Sequence, residues 1–290
     1  MYLFTVLQNG QEKLAAAQRM DGPLYSLEAY GLCFRDMNDL IDRVTPAQME
    51  LLRQPPKAKP MEDYMLCAPI PRPKQDVLCL GINYSDHARE ASRFDGEAFG
   101  GQRPVPIFFA KRVSEAAAPG ETIPSYQGLV DSLDYEVELA VILGKTMKNC
   151  PPEQVREHIF GYTVLNDISA RNLQTQHKQW YRGKSLDKFT PMGPCIVTAD
   201  SIPWPVDLEI ECYVNGELRQ KSRTRNLITT IDEAFSMFSQ GLTLQAGTIL
   251  ATGTPAGVGM GMTPPQFLKP GDEILCRIEG IGELRTVIGE

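Results

Sequence analysis

Two short apolar runs, residues 2–8 and 11–17, flank Asn9-Gly10, and an Asn-Gly pair between such runs predicts a β-hairpin with a tight turn. Helical spacing of apolar positions follows over 36–44 and 46–54. Pro55, Pro56, Pro60, Pro69, Pro71 and Pro73 then resist both helix and sheet, because proline donates no amide hydrogen bond and locks its own φ, so this stretch reads as a linker with a boundary near residue 73. Beyond it the pattern predicts short strands at 76–81, 106–111, 135–143, 194–198, 207–214, 217–223, 248–253, 273–279 and 283–288, with Asn215-Gly216 turning one pair. A further strand from Gly161 breaks at Asn166-Asp167 and opens a helix. Helical patterns are fewer: 84–92, 151–158, 170–180 and 230–240, the last ending at Gly241. Strands dominate without alternating regularly with helices, which predicts a β-rich α+β chain: a small α+β N-terminal domain over 1–73 and a mixed or antiparallel, barrel-like β domain over 74–290, rather than a doubly wound sheet. There is no internal repeat or low-complexity tract.

With 290 residues, 42% of them hydrophobic, the chain is long enough to bury a substantial core, which excludes a disordered tail or a miniature disulfide scaffold. A net charge of -7 builds in no attraction to phosphate backbones or anionic membranes, so neither is an expected partner. The seven cysteines form no C-x-x-C pair and are odd in number, the usage of reduced thiols serving as small core residues in a cytoplasmic protein. The N-terminus has no basic region and soon turns polar at Gln8-Asn9-Gly10, as a strand does and a signal peptide does not. No apolar run approaches the roughly 18 to 20 residues of a membrane span.

Several catalytic signatures are missing: G-x-S-x-G, H-E-x-x-H, and G-x-G-x-x-G after a strand. Gly183-Lys184-Ser185 has the ending of a P-loop, but Lys178 stands where the first glycine of the phosphate cradle is required. More informative is Asp134-Tyr135-Glu136-Val137-Glu138-Leu139, where a strand's period of two places three carboxylates on one face. Alternating charge of this kind marks either a solvated outer strand or, where the strand is buried, a cation site. The apolar continuation Leu139-Ala140-Val141-Ile142-Leu143 belongs to a strand buried on both faces, and all-oxygen ligation favours Mg²⁺, Mn²⁺ or Ca²⁺ over Zn²⁺. Asp167, at the strand-to-helix break, either satisfies backbone donors at the helix start or supplies a third carboxylate. Arg171 and Gln174 share a helix face beside it, and His158 and His177 fall in polar helical patterns as ordinary surface residues.

In order along the chain, Gly81-Ile82-Asn83-Tyr84-Ser85-Asp86-His87 with Glu90, Pro106-Ile107-Phe108-Phe109-Ala110-Lys111, and Asp134 to Leu139 resemble the fumarylacetoacetate hydrolase family in its catalytic C-terminal domain. So do Asn166 to Arg171, Gly183-Lys184-Ser185-Leu186-Asp187, and Thr252-Gly253-Thr254-Pro255-Ala256-Gly257-Val258-Gly259. The resemblance covers roughly residues 75 to 288 and leaves the first 73 without a signature. It implies a mixed β-roll domain, a homodimer, and Mg²⁺ or Mn²⁺ held by Glu136, Glu138 and Asp167.

The same resemblance implies a small-molecule 2-oxo acid substrate, such as an acylpyruvate or an oxaloacetate-like acid, cleaved at a C–C bond by hydrolysis or decarboxylation through an enolate that the cation stabilises. An isomerase or dehydratase of a hydroxy-dienoate or sugar-derived oxo acid, and a non-catalytic protein that keeps the metal, are the alternatives. Lys184 would add positive charge near the developing anion, Arg171 and Gln174 would orient the substrate, and Thr254 would donate to its carboxylate. His87 and Glu90, three apart on one helix face, form the candidate water-activating dyad. Phe94 to Gly101 has the glycine content of a lid.

Overall fold

In the computed structural model, which describes residues 1–95, 105–176 and 179–290, the predicted hairpin forms from β1 (Tyr2–Gln8) and β2 (Gln11–Ala17), and both turn residues, Asn9 and Gly10, take positive φ. A short β3 (Tyr25–Ser26) extends it. Two helices follow, α1 (Met37–Arg43), capped by the Asp36 side chain, and α2 (Pro46–Leu51), opened by a Thr45/Gln48 capping box. The proline-rich stretch contributes β4 (Met65–Leu66). The middle of the chain supplies β5 (Val77–Gly81), α3 (Ser85–Asp95), β6 (Ile107–Lys111), β7 (Thr122–Ile123), β8 (Leu133–Asp134), β9 (Val137–Leu143), α4 (Pro152–Val155), β10 (Ile159–Asn166), β11 (Ser169–Ala170), α5 (Arg171–Gln176) and α6 (Tyr181–Lys184). The last part adds β12 (Met192–Thr198), β13 (Glu209–Val214), β14 (Glu217–Arg223), α7 (Ile231–Ser239), β15 (Ile249–Ala251), β16 (Glu273–Ile278) and β17 (Gly282–Ile288).

The strands form a ten-stranded sheet, ordered β3-β2-β1-β12-β10-β9-β15-β5-β6 with β4 on β1, a five-stranded sheet, β14-β13-β16-β17-β7, and a two-stranded ladder, β11-β8. Most pairs are antiparallel; β15 with β5 and β17 with β7 are parallel. This is the mixed, sheet-rich, helix-poor architecture the patterning predicts, but neither large sheet closes into a barrel: among the described residues each ends in open edges.

Strand β9 explains the layering. All of its residues are buried, with Val137, Leu139, Val141 and Leu143 packed toward the five-stranded sheet, against residues such as Ile210 and Ile274. Ala140 and Ile142 pack the other way, with Met37, Leu40 and Leu52 of the N-terminal segment. The long sheet is therefore the middle layer. The first strand is part of it, since β1 pairs with β12 through Tyr2↔Val197 and Leu3↔Ile196.

Departures from the sequence expectations are local. Of the predicted 170–180 helix the structure describes α5, over Arg171–Gln176, and a separate α6 begins past its predicted end at Tyr181; the 135–143 strand starts at Val137 because Tyr135 and Glu136 leave the ladder between β8 and β9. Cys33 is exposed and Cys67 half-buried; the other five thiols lie in the core as expected. His177 lies outside the described residues, as does the lid stretch from Gly96 onward. No helix among the described residues is long and apolar enough to cross a membrane.

Removing residues 1–73 would strip β1 from β12 and uncover the apolar face carrying Met192 and Ile196. A 74–290 fragment is therefore expected to aggregate on size-exclusion chromatography. A monodisperse fragment with the parent's thermal midpoint would contradict this packing.

Candidate metal and catalytic site

The site forms where the β9–β10 ladder ends. Pairing of Leu165 with Glu138 and of Asn166 with Val137 brings the two strand ends together. The Glu136 N–H then donates to Asn166 Oδ1 at 3.0 Å, and the Asp167 N–H donates to the Glu136 carbonyl at 2.8 Å. Two stretches distant in sequence are thus tied by main chain at the point where each delivers a carboxylate. The result is a buried trio, Glu136, Glu138 and Asp167, whose ligand oxygens lie within 4.8 Å of one another. Asp134 is not in the trio, contrary to the shared face expected from strand alternation. The break after β8 turns it toward the Gly-rich loop, where Gly259 and Met260 donate N–H groups to it at 2.7 and 3.0 Å.

Cations stand against most of these carboxylates. Lys184 Nζ bridges Glu136 (2.7 Å) and Asp167 (2.8 Å), and Arg171 reaches Asp134 (2.8 Å) and Glu136 (2.7 Å). Lys111, which the sequence reading left without a role, is fully buried, contacts Asp167 and donates to the Phe189 carbonyl at 2.7 Å. A lysine closing an apolar strand reads as a solvated strand end, and only the long-range packing reveals its partner. Among the described residues four carboxylates thereby meet three cations, and Glu138 is the one left over: the Gly253 N–H at 2.7 Å is its hydrogen-bond donor.

The proton equilibria follow. Burial pushes the Glu138 carboxyl well above its ordinary range, and the neighbouring Asp167 and Glu136 charges push it further. For Glu136 burial acts in the same direction, but Lys184 and Arg171 overcome it and hold the group at about 2. Burial would lower Lys184, yet Asp167 and Glu136 raise it and keep it charged. An all-oxygen trio with one uncompensated buried carboxylate has the chemistry of a divalent hard-cation site.

His87 lines the same cavity as Glu136 and Glu138, and its Nδ1 lies 2.9 Å from Glu90 Oε2. Glu90 Oε1 accepts the Gly257 N–H at 3.0 Å, which docks α3 on the Gly-rich loop. Both loop donors are glycines for a steric reason. Gly253 and Gly257 have φ of 95° and 104°, and a Cβ would stand 2.8 Å from Asn83 Cβ in the first case and 1.9 Å from the Arg219 carbonyl in the second. With Nδ1 engaged by Glu90, proton exchange with a ligand falls to Nε2.

His87, Glu136, Glu138, Arg171, Gln174, Lys184 and Thr254 line one cavity of about 90 Å³, while Asp167 and Glu90 stand behind it, contacting Lys184 and His87. Gln174 accepts from Arg171 at 3.0 Å. The Thr254 hydroxyl donates to the Val137 carbonyl at 2.9 Å and accepts from Gln220 at 2.8 Å, so its proton points into the protein. A roomier cleft of about 610 Å³, bounded by Lys74, Asp76, Arg112 and Leu242, shares none of these residues and, among the described residues, has no carboxylate cluster.

Residues 76–289 match the family described as fumarylacetoacetate (FAA) hydrolase, C-terminal. The chain belongs to the fumarylacetoacetate hydrolase family. Its similarity to oxaloacetate tautomerase YisK of Bacillus subtilis (strain 168) is 44% identity over 232 residues, 79% of this chain and 74% of that protein. The fumarylacetoacetate hydrolase EaFAH from psychrophilic Exiguobacterium antarcticum superposes with a TM-score of 0.84 at 36% identity, covering 100% of this chain and 99% of that one. Fumarylpyruvate hydrolase from Pseudomonas aeruginosa, in complex with Mn²⁺ and pyruvate, gives 0.65 at 31% identity over 78% of this chain and 91% of that one. Fumarylacetoacetate hydrolase relatives of this chain thus include hydrolases and a tautomerase.

Two substitutions separate the charges at this site. Lys111→Met leaves Asp167 short of a buried counter-charge and is expected to lower stability by about 3 to 5 kcal/mol in a denaturant titration; a loss under about 1 kcal/mol would mean the pair contributes little. Glu138→Gln relieves like-charge repulsion, so the metal-free protein should melt no lower than the parent while losing most of the rise in melting temperature that Mn²⁺ produces. An undiminished Mn²⁺ response would exclude Glu138 as a ligand.

Proposed function

We propose that this protein interconverts the keto and enol forms of a small dicarboxylic 2-oxo acid of oxaloacetate size, with a divalent cation held by Glu136, Glu138 and Asp167. The observation that carries the reading is that His87, held from behind by Glu90, lines the same small cavity as Glu136, Glu138 and Lys184, which sets a proton carrier beside an anion-stabilising wall. The similarity to an oxaloacetate tautomerase supports the substrate class.

Mg²⁺ or Mn²⁺ in this oxygen donor set supplies Lewis acidity toward the carboxylate and 2-oxo oxygens of a chelating substrate. Arg171, steadied by Asp134 and Glu136, presents fixed positive charge to a substrate carboxylate, with Gln174 beside it. Lys184 adds positive charge where an enolate oxygen develops, and burial strengthens that interaction by excluding water. His87 Nε2 takes a proton from the carbon next to the 2-oxo group and delivers it to the 2-oxo oxygen, giving the enol, and the reverse transfer restores the keto form, while Glu90 holds the ring through Nδ1. Such a cycle needs no leaving group and no bound water.

C–C cleavage, by hydrolysis or decarboxylation, is the second reading, because it passes through the same enolate and a solved relative is a fumarylpyruvate hydrolase holding Mn²⁺ and pyruvate. One assay separates the two. With Mg²⁺ or Mn²⁺ present, enol oxaloacetate is followed by ultraviolet absorbance while pyruvate is counted by a coupled dehydrogenase. Tautomerisation predicts faster enol loss without matching pyruvate; stoichiometric pyruvate supports cleavage; neither signal contradicts both. His87→Ala should slow the proton transfer by about 10²- to 10⁴-fold with Mn²⁺ affinity unchanged, and activity within twofold of the parent would remove the dyad from the mechanism.

A further inference from the structure

We infer that Trp180 sets the length of substrate tail this site accepts, by lying across Gly81 and closing the apolar end of the cavity; the inference rests on the 2-oxo acid reading above. The cavity is chemically divided. Glu136, Glu138, Arg171 and Lys184 supply its charged lining, while Leu80 and Gly81 of β5, Phe109 of β6 and Trp180, which precedes α6, supply an apolar wall in which Phe109 and Trp180 are the large side chains. The Trp180 ring rests directly on the backbone of Gly81: a Cβ there would stand 2.2 and 2.7 Å from two of its ring atoms. Residue 81 is thus a glycine because the indole occupies the space of a side chain, and the ring cannot sink further toward β5.

From Gly81 the wall runs back to the head site without a gap. Trp180 meets Phe109 edge to face, with centroids 5.2 Å apart at 68°, and Phe109 carries the Lys184 ammonium 5.5 Å from its centroid. The same ammonium bridges Glu136 and Asp167. Two ring contacts therefore link the head-binding cation to the indole, so a substrate tail that follows this wall in the cavity of about 90 Å³ meets the indole. Because the indole is braced by a strand backbone on one side and by Phe109 on the other, it acts as a stop rather than as a side chain that yields. Leu80 and Ile82 flank Gly81 in this wall, whereas Ala91, Val258 and Met260 come from the dyad helix and the Gly-rich loop.

N-alkyl oxamates test this directly, since they present a carboxylate and an adjacent carbonyl with a tail of chosen length and undergo no reaction. Oxamate, N-ethyl oxamate and N-butyl oxamate are titrated calorimetrically into the Mn²⁺-loaded parent, Trp180→Phe and Trp180→Ala, with thermal melts to confirm folding. The parent should bind progressively more weakly as the tail lengthens. In Trp180→Ala the ratio of butyl to unsubstituted affinity should rise by about tenfold or more, the scale at which a pocket discriminates added methylenes, with Trp180→Phe between. If Trp180→Ala does not fold, the Trp180→Phe ratio decides. A ratio within twofold of the parent's, or a parent that binds all three equally, overturns the size stop. Binding of Mn²⁺ without binding of any oxamate overturns the 2-oxo acid reading itself and the stop with it.

Discussion

Asp134, Glu136, Glu138 and Asp167 are all withdrawn from water, and a buried carboxylate without a partner is costly enough that its surroundings must be arranged to suit it. The surroundings of this cluster come from every part of the catalytic region: Lys111 from one sheet edge, Arg171 and Lys184 from the two short helices after β11, and backbone N–H groups from the Gly-rich loop. Each brings one compensating charge or dipole, and their sum falls one short. The shortfall sits on Glu138, whose carboxyl burial and two neighbouring anions drive upward. A proton on Glu138 closes this balance in the metal-free protein and a cation could take its place, so the chemistry at the site and the stability of the layer around it share one electrostatic requirement.

The fold meets the geometric half of that requirement. Strand β9 is buried on both faces, which fixes its register, and its pairing with β10 sets the spacing between Glu138 and the Asn166-Asp167 break. Leaving the ladder at Tyr135-Glu136 frees the Glu136 carbonyl and amide to bind Asp167 and Asn166 instead of a neighbouring strand. The Gly-rich loop then closes the site twice over, since Gly253 serves Glu138 and Gly257 serves the Glu90 half of the dyad. Metal site and proton carrier are in this way registered against one another through a single loop.

Much of this was legible in the sequence, for identifiable reasons. Asn9-Gly10 announced a hairpin because few residue pairs accept its turn, and the apolar run after Glu138 announced a doubly buried strand because such runs have few other uses. A period of two groups Glu136 and Glu138 with Asp134, and a strand break leaves Asp167 either a capping or a ligand role; the ordered motifs of the family resemblance are what single out Glu136, Glu138 and Asp167, the trio that the fold brings together. What escaped depended on long-range packing. Lys111 gives no local sign that its ammonium is buried against Asp167; Asp134 kept the strand alternation in sequence but not in space; and pairing of β1 with β12 joins residues that lie almost two hundred positions apart. Strands of two residues, such as β8 and β11, are too short for any periodicity to mark.

The claim on which the rest depends is that the carboxylate excess is matched by a bound cation. Diffraction from crystals grown with Mn²⁺, recorded at the manganese absorption edge, tests it most directly. One anomalous peak per chain, at coordination distance from Glu136, Glu138 and Asp167 together, is the result this account predicts. Ordered crystals that show no peak among these three side chains, or manganese bound elsewhere while they pair with lysine and arginine alone, would contradict it.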